Sequence, residues 1–145
     1  ASIYAPVSGS VVPHTEIADA TFASGALGAG IGIHPATGEI VAPFDGEIIM
    51  FFPTRHAIGL KSNDGIELLI HVGINTVELE GKHFTALKEA GETVKAGDRL
   101  LAFDKEAIQN AGYDVTTAVL VTSPGEVQTV HTGETKLLEK VLTVS

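Results

Sequence analysis

Two histidines, His56 and His71, are the residues of this sequence best placed to do chemistry, because they lie at the two ends of a predicted β-hairpin. Runs 57–61 and 66–72 are rich in apolar and β-branched residues, which predicts two strands, and Ser62-Asn63-Asp64-Gly65 between them is typical of a tight turn. If the two central residues of that turn form its tip, antiparallel pairing sets His56 directly opposite His71, with Cβ atoms about 4.5–5.5 Å apart. A bulge at the glycine of the turn would shift the pairing by one residue. The local sequence therefore predicts two imidazole rings side by side.

Such a pair of rings has several chemical uses. A neutral histidine is a nucleophile, a base or a metal ligand, and the hydrogen bond made by one ring nitrogen decides what the other can do. The alternative is that both histidines are partly buried strand residues with a structural role only. Spacing alone leaves both interpretations open.

The elements around the hairpin predict an all-β domain. Sixteen glycines and six prolines separate short β-rich runs. Besides the hairpin, strands are predicted near residues 9–12, 31–34, 39–41, 46–52, 99–103, 115–121, 126–131 and 140–144. Segments 84–89 and 105–111 have short helical sequences that end before glycines, and Asp104 is a suitable N-cap for the second. No linker or change in composition divides the chain, which predicts a single domain over residues 1–145.

Composition narrows the classes of function. Hydrophobic residues make up 44% of the chain and the mean hydropathy is +0.26, as in a compact globule. No apolar run approaches the ~20 residues needed to cross a bilayer, and no leader resembles a secretory signal, so we expect a cytoplasmic protein without membrane insertion. The absence of cysteine excludes disulfides and thiolate metal sites.

Net charge narrows the classes of binding partner. Nine basic and eighteen acidic side chains give −9 at pH 7. Nucleic acid and anionic lipid both need a positive patch, so neither is an expected partner. A protein partner with a basic face would suit this charge.

The hairpin also carries a recognisable signature. It consists of Thr54-Arg55-His56-Ala57, Gly65-Ile66-Glu67-Leu68 and Ile70-His71-Val72-Gly73-Ile74-Asn75-Thr76-Val77-Glu78-Leu79. Four further segments match in order, namely 5–9, 28–33, 41–46 and 94–98. Over nearly its whole length the chain resembles the glucose-type enzyme IIA domains of the bacterial phosphoenolpyruvate–sugar phosphotransferase system. The resemblance implies a compact antiparallel β-sandwich with short helical segments.

The resemblance also implies roles for three residues. His71 matches the histidine that takes a phosphoryl group from the histidine phosphocarrier protein HPr and passes it to a cysteine on the B domain of a membrane sugar permease. His56 matches the second histidine, which assists transfer, and Thr54 matches a threonine that supports that ring by hydrogen bonding. Phosphoryl transfer of this kind needs positioning and charge stabilisation rather than a cofactor. His71 should present one neutral ring nitrogen, with a backbone carbonyl accepting from the other N–H.

A partner-binding surface is expected around the pair. Gly73 leaves room for close approach, although a glycine in a strand-ending turn would look the same. The positions that match the family's apolar and polar rim are Phe52, Ile74, Val77, Asn75 and Glu78. Ala29 and Asn75 stand where family members often carry acidic residues, and only Glu78 is retained. This thinner acidic rim affects the expected contact with a basic residue of the phosphocarrier.

Other classes of protein fit less well. A biotinyl or lipoyl carrier would share the Ala-Pro turns and a lysine such as Lys105, but that lysine should lie at a hairpin tip rather than in a helical run. A zinc hydrolase needs a His-x-His pair, which is absent, although His56 and His71 could hold zinc at an interface if a partner supplied further ligands. A non-catalytic regulatory binding module of the same fold is the remaining alternative. His14, His34, His83 and His131 match no part of the signature.

Overall fold

Fourteen strands form three sheets in the computed structural model, which describes residues 1–145. In chain order the strands are β1 (Ser2–Tyr4), β2 (Gly9–Pro13), β3 (Ala29–Pro35), β4 (Glu39–Val41), β5 (Gly46–Phe51), β6 (Ala57–Ser62), β7 (Glu67–Val72), β8 (Phe84–Ala86), β9 (Thr93–Val94), β10 (Arg99–Phe103), β11 (Thr117–Val121), β12 (Val127–Thr129), β13 (Gly133–Thr135) and β14 (Lys140–Val144). The α-helices are α1 (Ala20–Ala23) and α2 (Lys105–Asn110), and two 3-10 turns cover His14–Glu16 and Thr76–Leu79.

All strand pairs are antiparallel. The largest sheet has eight strands in the order β13-β2-β3-β11-β7-β6-β5-β9, and the two smaller sheets are β1-β14-β12 and β4-β10-β8. The predicted all-β antiparallel fold with short helical segments is therefore confirmed.

One core joins the three sheets. Its cluster of 27 buried residues includes Ile3 and Leu142 from the β1-β14-β12 sheet, Leu101 from β10, and Ile58 and Ile70 from the central hairpin. Each such side chain stabilises the fold by roughly 1.5–3 kcal/mol relative to an exposed position. The hairpin is therefore anchored from its inner face.

The outer face of the large sheet is where the candidate site lies. Side chains of β7 alternate, so that Leu68, Ile70 and Val72 are buried in the core while His71 points to the opposite face. A second cluster packs on this outer face and consists of Ile17, Phe22, Ile74, Ala118 and Leu120. Segment 14–28, which includes α1, thus partly covers the sheet beside His71.

One predicted element is wrong. Segment 84–89 does not form a helix, because Phe84–Ala86 is strand β8, whose Phe84 pairs with Phe103 of β10 and is buried in the core. A run this short has little intrinsic helical stability, and burial decides its conformation. The other predicted helix forms as α2, and the Asp104 carboxylate caps it by accepting from the backbone N–H of Ala107 at 3.0 Å.

Candidate active site

The register of the central hairpin differs by one residue from the tip-centred prediction. Ala57, rather than His56, pairs directly with His71. The Gly65 N–H donates to the Ser62 carbonyl at 2.9 Å, the Ser62 N–H donates to the Ile66 carbonyl at 2.8 Å, and Gly65 has φ +89°. Gly65 is therefore an additional loop residue in the left-handed region, as a hairpin with a bulge at this glycine requires.

The two rings nevertheless lie side by side. The centroids of His56 and His71 are 4.7 Å apart and their planes are inclined by 83°. His56 lies one residue before β6, after a turn in which the Arg55 N–H donates to the Phe52 carbonyl at 2.8 Å and Arg55 has φ +61°. Because His56 is outside the regular strand, the alternation of β6 does not set the direction of its side chain.

The direct partners of His71 on the two neighbouring strands are alanines. Ala57 of β6 is its direct partner on one side, and Ala118 of β11 is its direct partner on the other. Both alanines are buried. The sheet itself therefore leaves space around the imidazole.

A backbone carbonyl fixes the tautomer of His71. Its Nδ1 lies 2.8 Å from the carbonyl oxygen of Gly73, which can only accept, so the Nδ1–H donates to it. In the neutral ring the lone pair then resides on Nε2. Burial lowers the pKa of His71, while the Gly73 carbonyl and the negative charge of Asp19 oppose that effect. The half-buried ring is neutral at pH 7 and offers Nε2 as a nucleophile.

His56 is more deeply enclosed. The residue is 2% exposed, and its Nδ1 lies 2.8 Å from the Thr54 hydroxyl oxygen. Desolvation by burial, followed by the proximity of His71, lowers the pKa of His56 to about 4. A hydroxyl that donates to Nδ1 leaves the ring proton of neutral His56 on Nε2, where it can act as a hydrogen-bond donor.

Aromatic rings hold both imidazoles in place. Phe22 of α1 meets His71 edge-on with centroids 5.0 Å apart, and Phe52 meets His56 edge-on at 5.5 Å. Phe84 lies behind His56 at 6.3 Å. T-shaped contacts of this kind favour one ring orientation.

Asp19 is a functional candidate that the sequence interpretation missed. Its carboxylate caps α1 by accepting from the N–H groups of Thr21 and Phe22, and its charge acts on His71. The available sequence signal was an aspartate before a short run ending in phenylalanine, which is weak. Asp19 supplies negative charge beside His71 although Ala29 and Asn75 do not.

The expected rim residues differ in their exposure to solvent. Val77 is 52% exposed and Asn75 is exposed, Phe52 is half-buried, and Ile74 is buried in the outer cluster. The Glu78 carboxylate accepts from the Tyr113 hydroxyl at 2.9 Å. Whether these residues contact a partner stays a prediction.

Three of the other four histidines make hydrogen bonds away from the pair. His34 bonds to Thr116, His131 to Glu139 and to the carbonyl of Glu134, and His14 to the backbone of Gly30. No group of three or more histidine, cysteine or acidic side chains is arranged to hold a metal ion. A zinc ion on His56 and His71 would need ligands from a second molecule, and stays a prediction.

The length and polarity of the helices bear on membrane topology. No helix is long and apolar enough to cross a membrane.

The chain is similar to known proteins in sequence and in fold. The sequence profile of the family described as phosphoenolpyruvate-dependent sugar phosphotransferase system, EIIA 1, matches residues 1–127. The chain is 40% identical to the PTS system glucose-specific EIIA component of Staphylococcus epidermidis, over 95% of this chain and 83% of that one. It is 44% identical to the glucoside-specific EIICBA component of Staphylococcus carnosus and 48% identical to the beta-glucoside-specific EIIBCA component of Dickeya chrysanthemi.

Those two longer relatives are covered only in part. The chain spans about a fifth of each, 21% and 19% respectively, while 100% and 84% of this chain is aligned. Among solved structures, glucose permease IIA from Mycoplasma capricolum matches with a TM-score of 0.90 and 30% identity, covering 98% of this chain and 94% of that one.

Proposed function

Because the chain belongs to the EIIA 1 family of the phosphoenolpyruvate-dependent sugar phosphotransferase system, we propose that it carries a phosphoryl group on His71, between the phosphocarrier HPr and the B domain of a sugar permease. The observation that carries this proposal is the His71 ring itself. Its Nδ1–H is bound by the Gly73 carbonyl, its Nε2 lone pair is available, and a second neutral imidazole lies 4.7 Å away, measured between ring centroids.

Acceptance is a displacement at phosphorus. The Nε2 lone pair of His71 forms a new N–P bond while the N–P bond of the donor phosphohistidine breaks and its electron pair returns to the donor ring. Donation reverses the roles, since a thiolate of the B domain forms an S–P bond and the electron pair of the breaking N–P bond returns to Nε2. Such transfers proceed in line through a loose transition state, so the protein contributes mainly position and charge stabilisation, and the proposal invokes no cofactor.

His56 is assigned the assisting role. It is neutral at pH 7, so it stabilises developing phosphoryl charge through an N–H dipole rather than a full positive charge. Thr54 supports this role when its hydroxyl donates to Nδ1, because the ring proton of His56 then resides on Nε2. Once a phosphoryl group is present on His71, its negative charge would raise the pKa of His56.

Partner identity is also part of the proposal. The EIICBA and EIIBCA relatives, by their names, combine A, B and C components in one chain, which supports a B domain as the acceptor. The net charge of −9 and the carboxylate of Asp19, whose charge acts on His71, favour a donor with a basic face. A cytoplasmic location, expected from the sequence, belongs with this role.

The test is intact-mass analysis after incubation with phosphoenolpyruvate, enzyme I and HPr. We expect one acid-labile phosphoryl adduct in the wild type and none in His71→Ala. Absence of an adduct with a cognate HPr would favour the non-catalytic binding module instead. An adduct that persists in His71→Ala would assign the carrier to another residue.

A further inference from the structure

The loop that follows His71 is braced by a segment distant in sequence. The Gly73 N–H donates to the Thr116 carbonyl at 3.0 Å, and the Ile74 N–H donates to the Asp114 carbonyl at 2.9 Å. Two consecutive peptide groups of this loop are therefore held by two residues of segment 113–116. The Gly73 carbonyl, on the other side of the same residue, accepts from His71.

The shape of segment 113–116 depends on one carboxylate. Asp114 Oδ1 accepts from both the backbone N–H and the hydroxyl of Thr116, at 2.8 and 2.6 Å. Thr116 is 3% exposed, so this arrangement is shielded from competing water. Since the Thr116 hydroxyl gives its only proton to Asp114, the Nδ1–H of His34 donates to Thr116 Oγ1, at 2.9 Å. Loops closed by an aspartate two residues ahead are typical of Asx-turns.

The backbone at Gly73 is pressed against this segment. Gly73 has φ +82°, and a Cβ placed there would lie 2.9 Å from the Asp114 carbonyl oxygen and would also meet the Thr76 side chain. Hence the direction of the Gly73 carbonyl follows from its contact with Asp114 and Thr116 as well as from strand β7.

We propose that Asp114 is a positioning residue for His71. By shaping the turn at Thr116, its carboxylate aims the Gly73 carbonyl at Nδ1 of His71 and so keeps the lone pair on Nε2. Asp114 is exposed and reaches His71 only through Thr116 and the Gly73 loop. The kinetic consequence rests on the function proposed above, whereas the effect on the His71 tautomer does not.

The experiment follows the His71 ring nitrogens by 1H–15N correlation in the full chain. In the wild type and in Asp114→Asn, which keeps an oxygen acceptor, we expect Nδ1 to be protonated and Nε2 to be bare. In Asp114→Ala we expect a mixture of both tautomers and a rate of phosphoryl acceptance about tenfold lower, as for a mispositioned reacting group. Glu106→Ala, which removes one exposed carboxylate from α2, is the charge-matched control and should match the wild type.

Two outcomes overturn the assignment. One is a wild-type tautomer and rate in Asp114→Ala, and the other is an equal loss in Asp114→Asn and Asp114→Ala, which would point to charge rather than to the turn. Should Asp114→Ala unfold the chain, Asp114→Glu decides the matter, because it keeps the charge but moves the carboxylate one methylene away from the N–H and hydroxyl of Thr116. A wild-type tautomer in Asp114→Glu would then overturn the assignment. If the wild type accepts no phosphoryl group, the proposed function fails, but the tautomer spectra still decide the role of Asp114.

Discussion

His56 and His71 meet edge to face with their centroids 4.7 Å apart, although the two residues are not a direct pair in the sheet. Burial lowers the pKa of each ring, and the proximity of His71 lowers the pKa of His56 further. Both rings are therefore neutral at pH 7, but their hydrogen-bond partners differ. Nδ1 of His71 bonds to a backbone carbonyl, and Nδ1 of His56 bonds to a hydroxyl. That difference supports the nucleophilic role proposed for His71 and the assisting role proposed for His56.

Replacement of the assisting histidine separates the two half-reactions. His56→Gln should still accept the phosphoryl group from HPr, because His71 keeps Nε2 and its carbonyl partner. Donation to the B domain should fall by about a hundredfold, the scale seen when one donor to a transition-state charge is removed. Single-turnover measurement of each half-reaction checks this, and unchanged rates in both would remove His56 from the mechanism.

The hydroxyl of Thr54 should matter through His56. Thr54→Val removes the group 2.8 Å from Nδ1 and frees the ring to adopt either tautomer. We expect donation to slow by about fivefold to tenfold, the effect of losing one hydrogen bond of about 1 kcal/mol. Thr54→Ser retains the hydroxyl and should behave as the wild type. Equal rates for the valine and serine variants would leave Thr54 with a packing role.

Acid should destabilise the fold through His56. The unfolded side chain has a pKa of 6.5 and the folded one a pKa of about 4, so between these values the unfolded chain binds more protons. Stability therefore rises with pH across this range, and acidification through it removes roughly 3 kcal/mol by this route. Urea unfolding at about pH 7 and about pH 4.5 measures the change.

The variant His56→Gln separates the contribution of His56 to the pH dependence of stability from the contribution of the carboxylates, which titrate in the same range. It lacks the group that titrates, so its free energy of unfolding should fall less than that of the wild type over the same pH interval. Parallel curves for the two proteins would mean that burial of His56 does not depress its pKa in solution.

Two glycines with similar backbone angles offer a matched comparison. Gly73 and Gly65 have φ +82° and +89°, but a Cβ at Gly73 would crowd the Asp114 carbonyl while a Cβ at Gly65 would meet nothing within 4 Å. Gly65→Ala should cost about 1 kcal/mol for the left-handed backbone. Gly73→Ala should cost about 3 kcal/mol, because the steric conflict adds to it, and should slow acceptance by moving the carbonyl from His71. Chemical unfolding and acceptance rates check both, and equal losses of stability would contradict the close packing at Gly73.

Much of this arrangement could be predicted locally. Residues close together in the chain determine the apolar runs, the turn sequence and the helix cap at Asp104. The expectation of neighbouring imidazoles also depends on such local residues. The register could not be fixed, because the same four turn residues permit both a two-residue tip and a bulge at Gly65. Strand β8 was missed because its conformation depends on pairing with β10, which has no local signal.

The supporting residues of the site were hidden for the same reason. Asp19 reaches His71 only because α1 folds over the outer face of the sheet. Asp114 and Thr116 meet the Gly73 loop only because the start of β11 lies beside the end of β7. These contacts join segments far apart in sequence, and aspartate or threonine alone does not indicate them.

The methyl groups of Ala57 and Ala118 beside His71 have a consequence for how such a domain can diversify. Because its direct strand partners are alanines, the large side chain that packs against the His71 ring on this face belongs to Phe22, in the covering segment 14–28. Substitutions in that segment can therefore change the surface that a donor or acceptor meets without altering the sheet. The same segment holds Asp19, whose charge acts on His71, so access to the imidazole and its reactivity change together when this segment diversifies.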